Sequence, residues 1–149
     1  MTWTHLQPDD VEVQLWYLLV DATARSAEQL DDVLAQLTPD LFHSPQLAHG
    51  IELVRDLRRA GRHVDVPLVA HEARRRRVVL DWLDPIEVSR GSCWPGVVPE
   101  YVRILREAAD ARDLAKLLER ALDALRNGYS AAGVAGRLRE RLAPAAGAG

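Results

Sequence analysis

Residues 44–77 read SPQLAHGIELVRDLRRAGRHVDVPLVAHEARRRR, and the fold turns on this stretch. Ser44 brings the side-chain oxygen that a helix N-cap needs. Pro45 follows at the first helical position, where its missing N–H costs nothing. Leu47, Ile51, Val54 and Leu57 fall at steps of four, three and three, which is one stripe of a helix. Gly61 suits the left-handed conformation that ends it. Beyond Arg62-His63-Val64, Asp65 opens a second helix with Val66, Val69, Ala70 and Ala73 on its buried side.

The same signals run upstream. Pro8-Asp9-Asp10 opens a helix with Val11, Leu15, Leu18 and Leu19 on its apolar face, widened by Trp16 and Tyr17. Ahead of it lies a tail, residues 1–8, in which Trp3 and Leu6 are the side chains able to dock. Ser26 and Gln29 have the spacing of a capping box, and Leu30, Val33, Leu34 and Leu37 make the stripe that follows. Thr38-Pro39-Asp40-Leu41-Phe42 is a turn, with Phe42, the only Phe, expected as a core plug.

Downstream, residues 78–98 are less regular. Val79, Leu80, Trp82 and Leu83 suggest a short helix stopped by Pro85, and Gly91, Pro95 and Gly96 a loop that leaves Cys93 exposed. From Pro99 the periodicity returns. Ile104, Ala108, Ala111, Ala115, Leu118, Leu122 and Leu125 alternate steps of four and three, a heptad-like seam. Asn127-Gly128 breaks it, and Ser130 caps a last helix with Val134, Leu138 and Leu142. Together these predict an antiparallel helical hairpin.

The predicted fold is therefore all-α: a compact multi-helix bundle over residues 9–98, a C-terminal helical hairpin over 99–142, and a disordered tail over 143–149. The length, 149 residues, suits about one domain. Apolar residues at 48% and charged residues at 28% place it among globular chains. A net charge of −3 gives no global attraction to nucleic acid. A lone cysteine excludes an intrachain disulfide and a Cys-based zinc site. The N-terminus lacks the pattern of a signal peptide and no apolar run reaches a membrane span, so a cytoplasmic location is expected.

These residues carry a resemblance. Ser44-Pro45, Ile51, Val54, Leu57, Gly61 and Val64-Asp65-Val66 resemble the N-terminal domain of DnaB-type replicative helicases. So do the apolar run ending Leu18-Leu19-Val20-Asp21, the Pro39-Asp40-Leu41-Phe42 turn, and Pro99-Glu100-Tyr101-Val102 leading into a long helix. Two departures stand out. Residues 78–98 preserve neither the family's Gly-Gly helix nor its loop, and His49-Gly50 replaces large apolar residues. A helical Gly costs about 1 kcal/mol relative to Ala. Either another chain packs closely at Gly50, or this sequence has drifted.

The resemblance implies a non-enzymatic interaction module of DNA replication. In that family the domain forms the collar of the hexamer and docks primase and loader proteins, while helicase and ATPase activity reside in a C-terminal domain. No phosphate loop occurs in this sequence: Lys116, the only Lys, is followed by Leu and has no preceding glycines. No cofactor is expected. The partners expected are a second copy of the chain, in a dimer or higher oligomer, and by resemblance a replicative helicase or primase. The residues expected to form the contact are Ile104, Leu114, Leu117, Leu118, Leu122 and Leu125, with Val134 and Leu138 opposite. Leu114, Leu117 and Ala121 form a second apolar flank that one returning helix need not cover, and such a flank marks an intermolecular surface.

Alternatives to this reading rest on other residues. Arg74, Arg75, Arg76 and Arg77 form the densest charge run, open to phosphates or an acidic partner surface. The negative net charge and the lack of interleaved aromatics favour instead a solvated helix end that complements the helix dipole. With Arg137, Arg139 and Arg141 the run defines a DNA-binding adaptor. A mimic of the helicase-binding domain of primase is a close cousin of the main reading. His71-Glu72 begins a zinc motif that fails at Arg75, where a second His is required. No convergent acid, base or nucleophile set supports a small enzyme.

Overall fold

The structure is a computed structural model that describes residues 7–147. Trp3 and Leu6 lie outside the described residues. Among these residues there are seven α-helices and no strand: α1 (Pro8–Val20), α2 (Ala27–Gln36), α3 (Pro45–Arg59), α4 (Val66–Arg76), α5 (Pro85–Gly91), α6 (Val98–Arg126) and α7 (Ala131–Gly147). Short 3-10 turns occupy Pro39–Leu41 and Pro95–Val97. The chain divides into two compact units, Met1–Ala109 and Asp110–Gly149. The boundary falls inside α6, beyond the 98/99 division of the sequence reading, because Val98, Leu105 and Ala109 in its first turns are buried.

In the first unit the caps form as the sequence requires. The Ser44 hydroxyl accepts from the Leu47 N–H at 3.3 Å, and the Asp65 carboxylate from the Leu68 N–H at 2.9 Å. Ser26 and Gln29 complete a reciprocal capping box. Gly61 takes φ +69° just past α3, the conformation that costs any residue with a Cβ.

α1 is the axis of this unit. Val11, Leu15, Trp16, Leu18, Leu19 and Val20 are all buried, so the helix is enclosed on every side rather than along one stripe. Each such side chain removed from water contributes roughly 1.5–3 kcal/mol. α1 packs against α3 and α5 through two consecutive aromatic rings. A Cβ on Gly50 of α3 would lie 2.7 Å from Cζ3 of Trp16, and a Cβ on Gly91 of α5 would lie 2.6 Å from Cδ2 of Tyr17. Gly50 is thus explained within its own chain: it lets the Trp16 ring rest on the α3 backbone. Neither a second chain nor drift is needed to account for it.

Residues 78–84 correct the sequence reading. They are not helical. Pro85 begins α5 instead of stopping a helix, because the Asp84 carboxylate caps it, accepting from the Ile86 N–H at 2.9 Å. The segment lies against the core through partly buried Leu80, Trp82 and Leu83. It is pinned where Trp16 Nε1 donates to the Trp82 carbonyl at 2.8 Å. Phe42 is buried as expected, and Cys93 is buried where an exposed thiol was expected. The final helix runs to Gly147, through most of the stretch expected to be a disordered tail.

Candidate functional site

The second unit holds the hairpin. Two hydrogen bonds close the end of α6. Gly128, at φ +88°, donates to the Leu125 carbonyl at 3.2 Å, and Tyr129 donates to the Ala124 carbonyl at 3.1 Å. This wrapped turn is open to Gly at little cost. The Ser130 hydroxyl accepts from the Gly133 N–H at 3.1 Å and starts α7.

Between the two helices, Val134 is buried and Leu117, Ala121, Ala124 and Leu138 are half-buried. The flank expected to lie open is therefore partly covered at Leu117 and Ala121, and it is the seam residues Leu118, Leu122 and Leu125, together with Leu114, that are not. Leu114, Leu118, Leu122 and Leu125 are 44%, 51%, 47% and 45% exposed. They step by four, four and three along one helical face. The structure therefore divides the predicted contact residues. Leu117, Val134 and Leu138 line the inside of the hairpin, and Leu114, Leu118, Leu122 and Leu125 face outward. Ile104 belongs to the first unit, where it packs partly buried against the core.

A groove of about 410 Å³ runs along the hairpin, with Leu117, Ala121, Val134 and Leu138 in its lining and Arg120, Arg137 and Arg141 among them. The four outward leucines do not line it. Sequence reading singled out Arg137 and Arg141 but missed Arg120, which reaches the groove from the other helix. No local pattern marks it.

The arginine run at the end of α4 is largely engaged within the chain. Glu72 is 2% exposed and receives Arg75 Nη2 at 2.5 Å and Arg76 Nε at 2.8 Å, with Arg62 Nη1 at 3.6 Å. Arg76 also reaches Asp56 at 2.7 Å. The Arg75 and Arg76 guanidinium groups hold the Glu72 carboxyl at a pKa of about 2, well below its usual 4.5. Arg75, standing where a zinc motif would need His, is one of the side chains that bind Glu72. Arg74 turns back to the Ala70 carbonyl. Arg77 ends the helix in a left-handed conformation, φ 56°.

The architecture has a counterpart among solved structures. The N-terminal domain of DnaB helicase from Mycobacterium tuberculosis matches it with a TM-score of 0.69 at 22% sequence identity, over 91% of this chain and 99% of that one. The fold is that of the DnaB helicase N-terminal domain. No family model matches the sequence, and no curated protein does.

Within this DnaB N-terminal fold, burial raises the Cys93 thiol pKa to about 11, which leaves almost no thiolate for nucleophilic chemistry near neutral pH. No three His, Cys, Asp or Glu side chains are grouped for a metal among the described residues. No helix there is long and apolar enough to cross a membrane.

Proposed function

We propose that this chain is a non-catalytic interaction module of DNA replication that self-associates through its hairpin and docks onto a replicative helicase or primase. The observation that carries the reading is the row Leu114, Leu118, Leu122 and Leu125, each about half exposed along one face of α6, in a chain with the DnaB N-terminal fold. Contiguous apolar surface of this kind marks a protein contact. Covering it with the same row of a second copy would bury four leucines on each side, with Asp113, Glu119 and Arg126 available as rim charges to set orientation.

Size-exclusion chromatography with light scattering tests the reading, on the chain alone and mixed with the host's full-length helicase and primase. The expected result is a dimer or larger species at micromolar concentration that co-elutes with one of the two. A clean monomer that elutes apart from both would overturn it.

A further inference from the structure

Most arginines of the first unit already have carboxylate partners: Arg55 with Glu52, Arg58 with Asp31, Arg59 with Asp56, Arg62 and Arg75 with Glu72, Arg76 with Glu72 and Asp56, Arg103 with Glu100 and Glu107, Arg106 with Asp40. The groove of the hairpin is different. Arg120, Arg137 and Arg141 are exposed, and among the described residues none of them has a carboxylate within ion-pair distance. In a chain whose net charge is −3, three uncompensated guanidinium groups around one apolar floor form a local feature of opposite sign.

We propose that this groove receives an acidic amphipathic helix of a partner protein. Leu117, Val134 and Leu138 would take its apolar side, and Arg120, Arg137 and Arg141 would pair with its carboxylates. The lining residues along α7, counted from its cap, run from Ser130 to Arg141 at helical spacing. That is about 16 Å of groove, or three turns of a docked helix. An apolar floor adds nothing to binding a phosphate backbone, and one aromatic ring, Tyr129, gives no run of stacking platforms. The chemistry therefore favours an acidic peptide over a nucleic acid. Because the outward leucines do not line the groove, this site is separate from the proposed self-association row and stands or falls independently of it.

The test is fluorescence anisotropy with the full chain and labelled probes of about 15 residues, long enough for four helical turns. Three probes place Leu at alternating steps of three and four with Glu between. Scrambled versions of the same composition and a single-stranded DNA oligonucleotide serve as the other arms. At least one amphipathic probe should bind roughly tenfold more tightly than its scrambled form. The variant Arg120→Glu/Arg137→Glu should lose roughly tenfold or more, as truncating or reversing paired interfacial charges does. The variant Leu118→Asp/Leu122→Asp should bind as the parent does, even where it no longer self-associates. Arg137→Gln/Arg141→Gln is the milder pair should charge reversal disturb the hairpin, with helicity checked by circular dichroism. The proposal is overturned if no amphipathic probe binds, if scrambled probes bind equally, if the arginine variants leave affinity unchanged, or if the DNA binds more tightly than every peptide.

Discussion

The Trp16 ring fills the space beside Gly50 where any other residue would carry its Cβ, 2.7 Å from Cζ3 and 2.8 Å from Cη2. Leu80 closes the same spot from the other side, its Cδ2 3.3 Å away. Helix propensity alone says that Gly50→Ala should stabilise α3 by about 1 kcal/mol. The steric conflict with a rigid, buried indole outweighs that, since overpacking a core costs about 1–3 kcal/mol. We predict that Gly50→Ala lowers the urea midpoint, and that the loss shrinks in a Trp16→Leu background, where the ring is gone. A stabilised Gly50→Ala protein would refute the contact.

The carboxylate of Glu72 gives a pH dependence with a definite sign. Its folded-state pKa is depressed to about 2. Its contribution is therefore complete above the ordinary value of 4.5 and fades as pH falls from there toward 2. Glu72→Gln should be less stable than the parent at pH 7, with the gap closing through that acid window. Denaturation midpoints at stepped pH measure it. A gap that stays constant down to pH 2 would mean that the arginines do not hold the carboxylate.

Cys93 should be slow to react. With the thiol buried and its pKa raised to about 11, labelling by a disulfide reagent at pH 8 requires the surrounding structure to open. The rate in the native protein should be slower by orders of magnitude than in urea. Equal rates would place Cys93 outside the core.

Leu118→Asp and Leu122→Asp test the outward row. Both positions are about half exposed, so a carboxylate there leaves the monomer fold intact while an apolar contact between copies would have to bury it. The expected result is a monomer with unchanged helicity by circular dichroism. An oligomer that survives both changes would move the contact elsewhere.

Much of this architecture is legible in the sequence, for a local reason. Caps act within three residues, so Ser26, Ser44 and Asp65 could be matched to the N–H groups that they bind. Apolar stripes such as Leu47, Ile51, Val54 and Leu57 name their buried face without reference to a partner. The segment at 78–84 is not legible locally, because Leu80, Trp82 and Leu83 pack against the core from a non-helical chain rather than along a helix of their own. The Asp84-Pro85 pair repeats the cap-and-proline start of Ser44-Pro45, and that parallel was the available signal. Gly50 was opaque because its explanation lies 34 positions away, at Trp16. In the hairpin, the heptad seam was visible. Which flank α7 covers depends on the rotation of one helix about the other, and a repeat of apolar residues does not specify that.

The distribution of buried side chains has a consequence for motion. From Asp110 to Ala143, Val134 is the only buried side chain among the described residues, whereas α1 alone has seven buried apolar ones. A helical pair with so small an interior gains little beyond its own backbone hydrogen bonds, and such segments open on their own, well below the free energy of global unfolding. Amide hydrogens around Leu15, Ile51 and Val54 should then exchange with deuterium only on global unfolding, and those of Leu118 and Leu122 through local fraying. If copies associate through the outward row as proposed, protection in the hairpin rises with protein concentration, and the lifetime of its helices reports on how much of the chain has found company.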